Sequence, residues 1–177
     1  QVRFAACRRA EPEPPAQAMI GREVPDDQPG VISFDAYYQT LRDNPSIRAV
    51  PEVRKVLDTS ERLLGLIEQS FPQSPATYRP VALRIIRALA VHRLTTAELS
   101  APHGLTAAAL RDQLCLVVPN IPERTAEFQE GVIETILRLI RRTVSGSFIS
   151  RNDANGQYYL DLEKQIDYDA EIEKRAD

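Results

Sequence analysis

The sequence predicts a mostly α-helical fold that ends in a single β-hairpin. Residues 129–144 place apolar side chains at helical spacing. Two β-prone segments, 148–150 and 158–160, follow directly, separated by Asn155-Gly156. This dipeptide is the strongest short signal for a hairpin, because a type I′ turn needs positive φ at both central residues. A helix that leads straight into a hairpin is typical of the second half of a winged-helix domain.

Length and composition describe a globular chain without a strong overall charge. The chain has 177 residues, of which 43% are hydrophobic, and its formal net charge is −3. A negative chain does not attract nucleic acid as a whole, so such binding needs a local basic patch. No apolar run approaches the roughly 20 residues that cross a membrane. These features predict a cytoplasmic protein without a membrane partner, and the missing initiator methionine predicts a segment of a longer chain.

The first part of the chain divides into an extension and a helical unit. Proline recurs throughout residues 1–30, which predicts a linker or a loosely packed extension. Residues 31–78 form the predicted helical, lid-like unit. In this unit Ser33 is a suitable N-cap for a first helix that ends at Asn44, and Pro51 suits the first position of a second, longer helix.

Residues 79–162 have the element order of a winged helix-turn-helix domain, which is helix, short helix, helix, strand and strand. The first of these helices, 80–94, is apolar on nearly all sides, so it is predicted to lie at the centre of the core. Thr106 is the predicted N-cap of the short helix. Residues 163–177 are rich in charge and are predicted to start a further helix.

The predicted two-residue turn also assigns faces to the hairpin. Its inner face would hold Ile149, Tyr158, Leu160 and Leu162. Phe148 and Tyr159 would then share the outer face, exposed to solvent or covered by residues 163–177. Because aromatic residues dominate interface hot spots, these two side chains are the predicted anchors for a partner.

No motif for catalysis or metal binding is present. The chain lacks the G-x-x-x-x-G-K-[ST] loop that cradles phosphates, so it is predicted neither to bind ATP tightly nor to hydrolyse it. Cys7 and Cys115 match no metal or redox spacing. His92 and His103 have no carboxylate or cysteine at metal spacing, and His92 is expected to be a packed core histidine. The alternating acids of 167–173 lack the glycine of a calcium loop, which favours a solvated helix face.

One local basic patch remains. Arg138, Arg141 and Arg142 lie late in the third helix of the winged-helix segment, and Arg151 lies on the wing. In such domains the third helix enters the major groove, and arginine suits both phosphate and guanine contacts. These four residues are therefore the candidates for binding double-stranded DNA. The alternative is a solvated face paired with Glu134 or with the acidic end of the chain, and acids in the first turns of the helix oppose a base-reading role.

Three stretches resemble a known family. They are residues 78–96 (YRPVALRIIRALAVHRLTT), residues 105–116 (LTAAALRDQLCL) and residues 145–162 (SGSFISRNDANGQYYLDL), in which GQYYLD is the most specific part. Each is similar to a segment of the large ATPases of bacterial phage-exclusion systems, the BrxC/PglY type of BREX and Pgl loci. The resemblance covers roughly residues 31–175.

The resemblance implies an internal region of a much longer AAA+-like ATPase. Residues 31–78 would be the helical lid, followed by the winged helix, while ATP and magnesium would bind to motifs of the parent chain outside this segment. A lid arginine often touches the γ-phosphate in such ATPases, and the resemblance implies Arg79 or Arg84 for that role, with a salt bridge as the alternative. Other phage-exclusion subunits are the implied partners.

Three functions therefore stay open from the sequence. The first is a non-catalytic lid plus winged-helix region of a phage-resistance ATPase that docks DNA or a partner subunit. The second is a stand-alone winged-helix transcription regulator. The third is a protein-interaction module without DNA binding.

Overall fold

The computed structural model describes residues 33–95, 103–114, 116, 118, 123 and 125–162. The expectations for residues 1–30 and 163–177 lie outside this part of the chain. Within it, the fold is mostly helical with one two-stranded antiparallel sheet, as the sequence predicts. Its elements are α1 (Phe34–Asp43), α2 (Pro45–Arg48), α3 (Pro51–Ser70), α4 (Tyr78–Thr95), α5 (Ala107–Leu114), α6 (Ala126–Thr143), β1 (Ile149–Asn152) and β2 (Gln157–Leu160).

The helical unit contains a short helix that the sequence reading missed. Asn44 ends α1, as predicted, but its side chain also starts α2: its Oδ1 accepts hydrogen bonds from the backbone N–H groups of Ser46 (3.0 Å) and Ile47 (3.3 Å). Asn-Pro looks like a simple break, yet proline fits the first turn of a helix, where its missing N–H costs nothing. Ser33 occupies the predicted N-cap position of α1, but its hydroxyl pairs with Asp35 instead of a backbone N–H.

Helix α4 is the centre of the core, which confirms the prediction for residues 80–94. Half of its 18 residues are buried, including Ile85, Ile86 and Leu89. It packs against α1 and α3 on one side and against α5, α6 and β2 on the other. One hydrophobic cluster therefore runs from Tyr38 in the helical unit to Leu160 in the hairpin.

The helices of the second half begin and end by local hydrogen bonds that the sequence encodes. Thr106 is the predicted cap of α5, and its Oγ1 accepts from the N–H of Ala109 at 3.1 Å. Helix α6 ends at Thr143, just before Ser145 and Gly146. The N–H of Gly146 donates to the carbonyl of Arg141 at 2.7 Å, with Gly146 at φ 64°. Glycine adopts this left-handed conformation at little cost.

The hairpin has the predicted faces but not the predicted turn. Ile149 pairs with Leu160 and Asn152 pairs with Gln157, so residues 153–156 form a four-residue loop. Within the Asn155-Gly156 pair only Gly156 has a positive φ, of 68°, so the type I′ prediction is wrong.

Side chains of the loop explain the longer turn. Asn152 Oδ1 accepts from the N–H of Ala154 at 3.0 Å, and Asn155 Oδ1 accepts from the N–H of Gln157 at 3.0 Å. The N–H of Gly156 donates to the carbonyl of Asn152 at 2.8 Å. Relative to the predicted turn the pairing shifts by two residues, which keeps every side chain on its face.

The inner face of the hairpin is therefore as predicted. Ile149, Tyr158 and Leu160 are buried, and Leu162 packs partly buried against the same core.

A third segment joins the hairpin at the other edge of β2. Leu105 and Tyr158 form an antiparallel bridge, with both N–H···O distances at 2.9 Å. Gly104, just before the bridge, lies so close to β2 that any side chain at that position would meet the backbone of Tyr158. The order α4, bridge, α5, α6, β1, β2 is that of a winged helix, with β1 and β2 as the wing.

None of the helices in the described ranges has both the length and the apolar character that crossing a membrane requires.

Candidate nucleic-acid interface

Helix α6 separates its charges along its length. Its buried face includes Ile133, Ile136, Leu137 and Ile140, and this face packs on the core. Acidic residues lie in the first half, while Arg138, Arg141 and Arg142 lie in the last two turns. Cations near a helix C-terminus interact favourably with the helix dipole. We call the group Arg138, Arg141, Arg142 and Arg151 the arginine surface.

One hydrogen bond fixes the wing against α6. The hydroxyl of Tyr158 donates to Glu134 Oε1 at 2.5 Å, and the Tyr158 side chain is only 1% exposed. Burial, together with the hydrogen bond and the negative charge of Glu134, raises the pKa of Tyr158 to about 12. Glu134 thus accepts a hydrogen bond from the wing. One of the acidic residues of α6 that argued against DNA binding is therefore engaged within the fold.

Two arginines gather around this tyrosine. The guanidinium carbon of Arg151 lies 5.8 Å from the centroid of the Tyr158 ring, and its Nη1 pairs with Asp153 at 3.1 Å. Arg141 is near enough that its positive charge counteracts part of the rise in the pKa of Tyr158. Arg141 of α6 and Arg151 of the wing therefore both lie near Tyr158.

Arg138 and Arg142 lie on the solvent side of α6, one helical turn apart, and both are exposed. Nη2 of Arg138 lies 3.4 Å from Thr135 Oγ1, within its own helix. The predicted pairing of Arg138 with Glu134 is not among its contacts in the described part of the chain. Both side chains therefore lie at the surface of α6.

The acidic half of α6 is partly neutralised by a residue that the sequence reading did not single out. Nη1 of Arg111, on α5, lies 3.7 Å from Glu130 Oε2 and 2.9 Å from the carbonyl oxygen of Ala126. Its Nε also pairs with Asp112 at 2.7 Å. Arg111 and Glu130 are 19 positions apart in the sequence, so only the packing of α5 against α6 reveals this pairing.

Arg84, predicted as a nucleotide contact or a salt-bridge partner, forms the salt bridge. Its Nε lies 2.8 Å from Asp35 Oδ2 on α1, and its Nη2 donates to the carbonyl of Leu114 at 2.8 Å. It therefore ties α1 and the end of α5 to α4. Arg79 is half-buried in the first turn of α4, and its proposed nucleotide contact stays a prediction.

The predicted partner anchors are less exposed than the sequence suggested. Phe148 lies outside β1 at φ 63°, half-buried and packed against the core, so it does not share a strand face with Tyr159. Tyr159 is also half-buried. The large apolar side chains that do reach solvent in the described ranges are Phe128, 40% exposed at the start of α6, and Val50, 42% exposed.

His92 is a partly buried histidine of α4, in agreement with the packing expectation. Burial lowers the pKa of His92, and the charges of His103 and Arg93 lower it further. The described residues contain no cluster of His, Cys, Asp and Glu side chains that could hold a metal ion. The acidic run of 167–173 lies outside those residues.

We expect the stability of the wing to depend on the protonation of Tyr158. Its pKa is higher in the folded chain than the ordinary value of about 10, so the neutral phenol favours folding. This contribution is complete below about pH 10 and is lost as the pH rises toward 12. Tyr158→Phe should cost roughly 1 kcal/mol at pH 8, and the difference from the parent should shrink between about pH 10 and pH 12.

Urea unfolding at several pH values measures this difference, with Tyr159→Phe on the neighbouring strand position as the control. A gap between the parent and Tyr158→Phe that stays constant to pH 11 would contradict the assignment.

The fold is a group of helices packed around α4 and followed by a two-stranded wing, and the arginine surface lies on α6 and the wing. The family model described as the DUF6079 second domain matches residues 15–166. The chain therefore belongs to the DUF6079 second-domain family. No curated protein and no solved structure was found to match it.

Proposed function

We propose that this chain is a non-catalytic docking domain that binds the phosphate backbone of double-stranded DNA through α6 and the wing. The observation that carries the proposal is the contact of the wing with α6 through Tyr158 and Glu134, with Arg141 and Arg151 both near Tyr158 and with Arg138 and Arg142 exposed on α6. Arginine presents several N–H donors in a fixed planar fork, which suits phosphate oxygens.

The charge distribution favours backbone contact over base reading. In helix-turn-helix domains the N-terminal residues of the recognition helix contact base edges. In this chain that half of α6 carries Glu127 and Glu130, whereas the arginines occupy the other end and the wing. Phosphate contacts fix orientation without reading sequence. The domain is therefore proposed to bind duplexes of different sequence with similar affinity.

We further propose that the chain serves within a bacteriophage-resistance ATPase in the cytoplasm. The support is the resemblance of residues 78–96, 105–116 and 145–162 to the phage-exclusion ATPases, together with the description of the matching family as a second domain, which suits a multidomain parent. ATP and magnesium would be bound elsewhere in that parent. Other phage-exclusion subunits would be its protein partners.

The test of DNA binding is its salt dependence. We expect the parent to bind a 20-base-pair duplex with an affinity that falls as salt rises, and the double variant Arg138→Ala/Arg142→Ala to lower the slope of log K against log salt by about 2. Because a charge-assisted hydrogen bond contributes roughly 1.5 kcal/mol or more, the affinity should fall by about tenfold at least. Fluorescence anisotropy at four salt concentrations measures both quantities.

The control is Arg42→Ala/Arg54→Ala, which removes the same charge from the helical unit. It should leave the slope within about 0.5 of the parent value, because neither residue lies on the arginine surface. If the two double variants bind alike, or if the parent does not bind duplex DNA, the arginines of α6 are only a solvated face.

A second function, protein docking, is favoured by one specific observation. Phe128 is 40% exposed on the first turn of α6, beside Glu127 and away from the arginines. An exposed aromatic side chain is a common anchor of protein interfaces. Phe128→Ala should then weaken binding of a phage-exclusion subunit in a direct titration while leaving the DNA affinity unchanged. A variant that binds that subunit as the parent does would remove this candidate.

A further inference from the structure

A cation from the helical unit lies at the base of the wing. Arg62, on α3, is exposed, and its guanidinium carbon lies 5.7 Å from the centroid of the Phe148 ring. Phe148 is itself held against the core at the junction between α6 and β1. A guanidinium over an aromatic face is attracted by the ring quadrupole, so Phe148 restrains Arg62.

The charge of Arg62 is not neutralised within the described part of the chain. The ion pairs there leave Arg62 out, although Glu61 precedes it in sequence. Glu61 pairs instead with Arg48 at 3.4 Å, and Arg48 also pairs with Asp58 at 3.1 Å. The acids nearest in sequence are thus taken by a different arginine, and Arg62 keeps its full positive charge toward solvent.

Arg62 contacts the segment of the chain that links the arginines of α6 to Arg151 on the wing. Phe148 follows the end of α6 by five residues, and α3 packs directly against α6. Arg151 is three residues beyond Phe148, so their Cα atoms are at most about 10 Å apart. The contact with Phe148 therefore places Arg62 at the segment that joins α6 to the wing.

We propose that Arg62 is a further phosphate-contacting residue, so that the DNA backbone is bound jointly by the helical unit and the winged-helix domain. This inference rests on the proposed function. A guanidinium packed by one face on a ring keeps its edge N–H donors for phosphate oxygens. The role of Phe148 is then to position Arg62 for DNA, rather than to anchor a protein partner as its sequence position suggested.

Arg62→Ala tests the inference. We expect the slope of log K against log salt for duplex binding to fall by about 1, as for the loss of one phosphate contact. Arg62→Lys retains the charge but not the planar stacking, so it should keep the parent slope and bind roughly threefold more weakly. Phe148→Leu preserves apolar packing and removes the ring, and we expect weaker binding with an unchanged slope.

Arg54→Ala is the matched control, since it removes one arginine from the same helix about 12 Å further along its axis. If Arg62→Ala and Arg54→Ala have equal slopes while the parent shows salt-dependent binding, the role of Arg62 is refuted and the proposed function stands. If the parent does not bind duplex DNA at any salt concentration, both fall. Circular dichroism of each variant verifies that the substitution has not unfolded the chain. Arg62 is exposed, so its replacement should leave the fold intact.

Discussion

Gly104→Ala is expected to lower the free energy of unfolding by about 3 kcal/mol, at the upper end of the usual cost of overpacking. A Cβ at this position would collide with the carbonyl oxygen of Tyr158 and lie 2.9 Å from Cβ of Tyr159. The obstacle is backbone of β2, which cannot rotate away as a flexible side chain would. The substitution should also break the bridge between Leu105 and Tyr158, which joins α5 to the wing.

The measurement is the melting temperature, which we expect to fall by roughly 10 °C for a chain of this size. Gly65→Ala and Gly131→Ala are matched controls, because a Cβ at either helical glycine meets nothing within 4 Å. Alanine favours helix over glycine, so each control should be stabilised by about 0.5–1 kcal/mol. If Gly104→Ala melts within 2 °C of the parent, β2 does not approach Gly104 as described.

Arg84→Met is expected to cost roughly 3 kcal/mol of unfolding free energy. Removing one partner of a largely desolvated ion pair leaves the other charge uncompensated. The side chains of Arg84 and Asp35 are only 21% and 12% exposed, and Arg84 also donates to the carbonyl of Leu114. Methionine fills a similar volume, so the loss reports the polar contacts rather than a cavity.

Arg87→Met is the control. Arg87 lies one turn further along α4 and is also half-buried. It makes no ion pair in the described ranges. It should change stability by less than about 0.5 kcal/mol. Asp35→Asn on top of Arg84→Met should add no further cost and should recover part of the loss, because it removes the charge that Arg84→Met leaves uncompensated. Equal urea midpoints for the two methionine variants would contradict a structural role for Arg84 and would favour its nucleotide contact.

Periodicity along the chain predicted most of the elements of this fold. The apolar spacing within 129–144 and 80–94 located α6 and α4, because a helix must bury one stripe or, at the centre, nearly its whole surface. The alternation of Ile149, Tyr158 and Leu160 located the inner face of the hairpin. The prediction of that face was correct although the predicted turn type was wrong. The strand pairing shifts by two residues, and such a shift keeps each side chain on the same face.

The candidate site was predicted in its residue types but not in its partners. The four arginines of α6 and the wing were identified from their positions in the sequence. Two pairings set the surroundings of these arginines: Glu134 with Tyr158, and Arg111 with Glu130. The paired residues are 24 and 19 positions apart, so no local sequence pattern indicates either pairing. Such pairings depend on how helices pack, which a one-dimensional pattern does not contain.

The amino-acid pattern alone predicted the helix at the centre of the core, the side of the wing that faces inward and every described helix except the short α2. These features follow from local propensity and from the burial of apolar side chains. The tertiary structure alone decided the four-residue loop, the contact of Gly104 with β2, the salt bridge of Arg84 and the placing of Arg62 over Phe148. Each of these depends on distances between segments that are remote in the chain, and such distances are set only when the core packs.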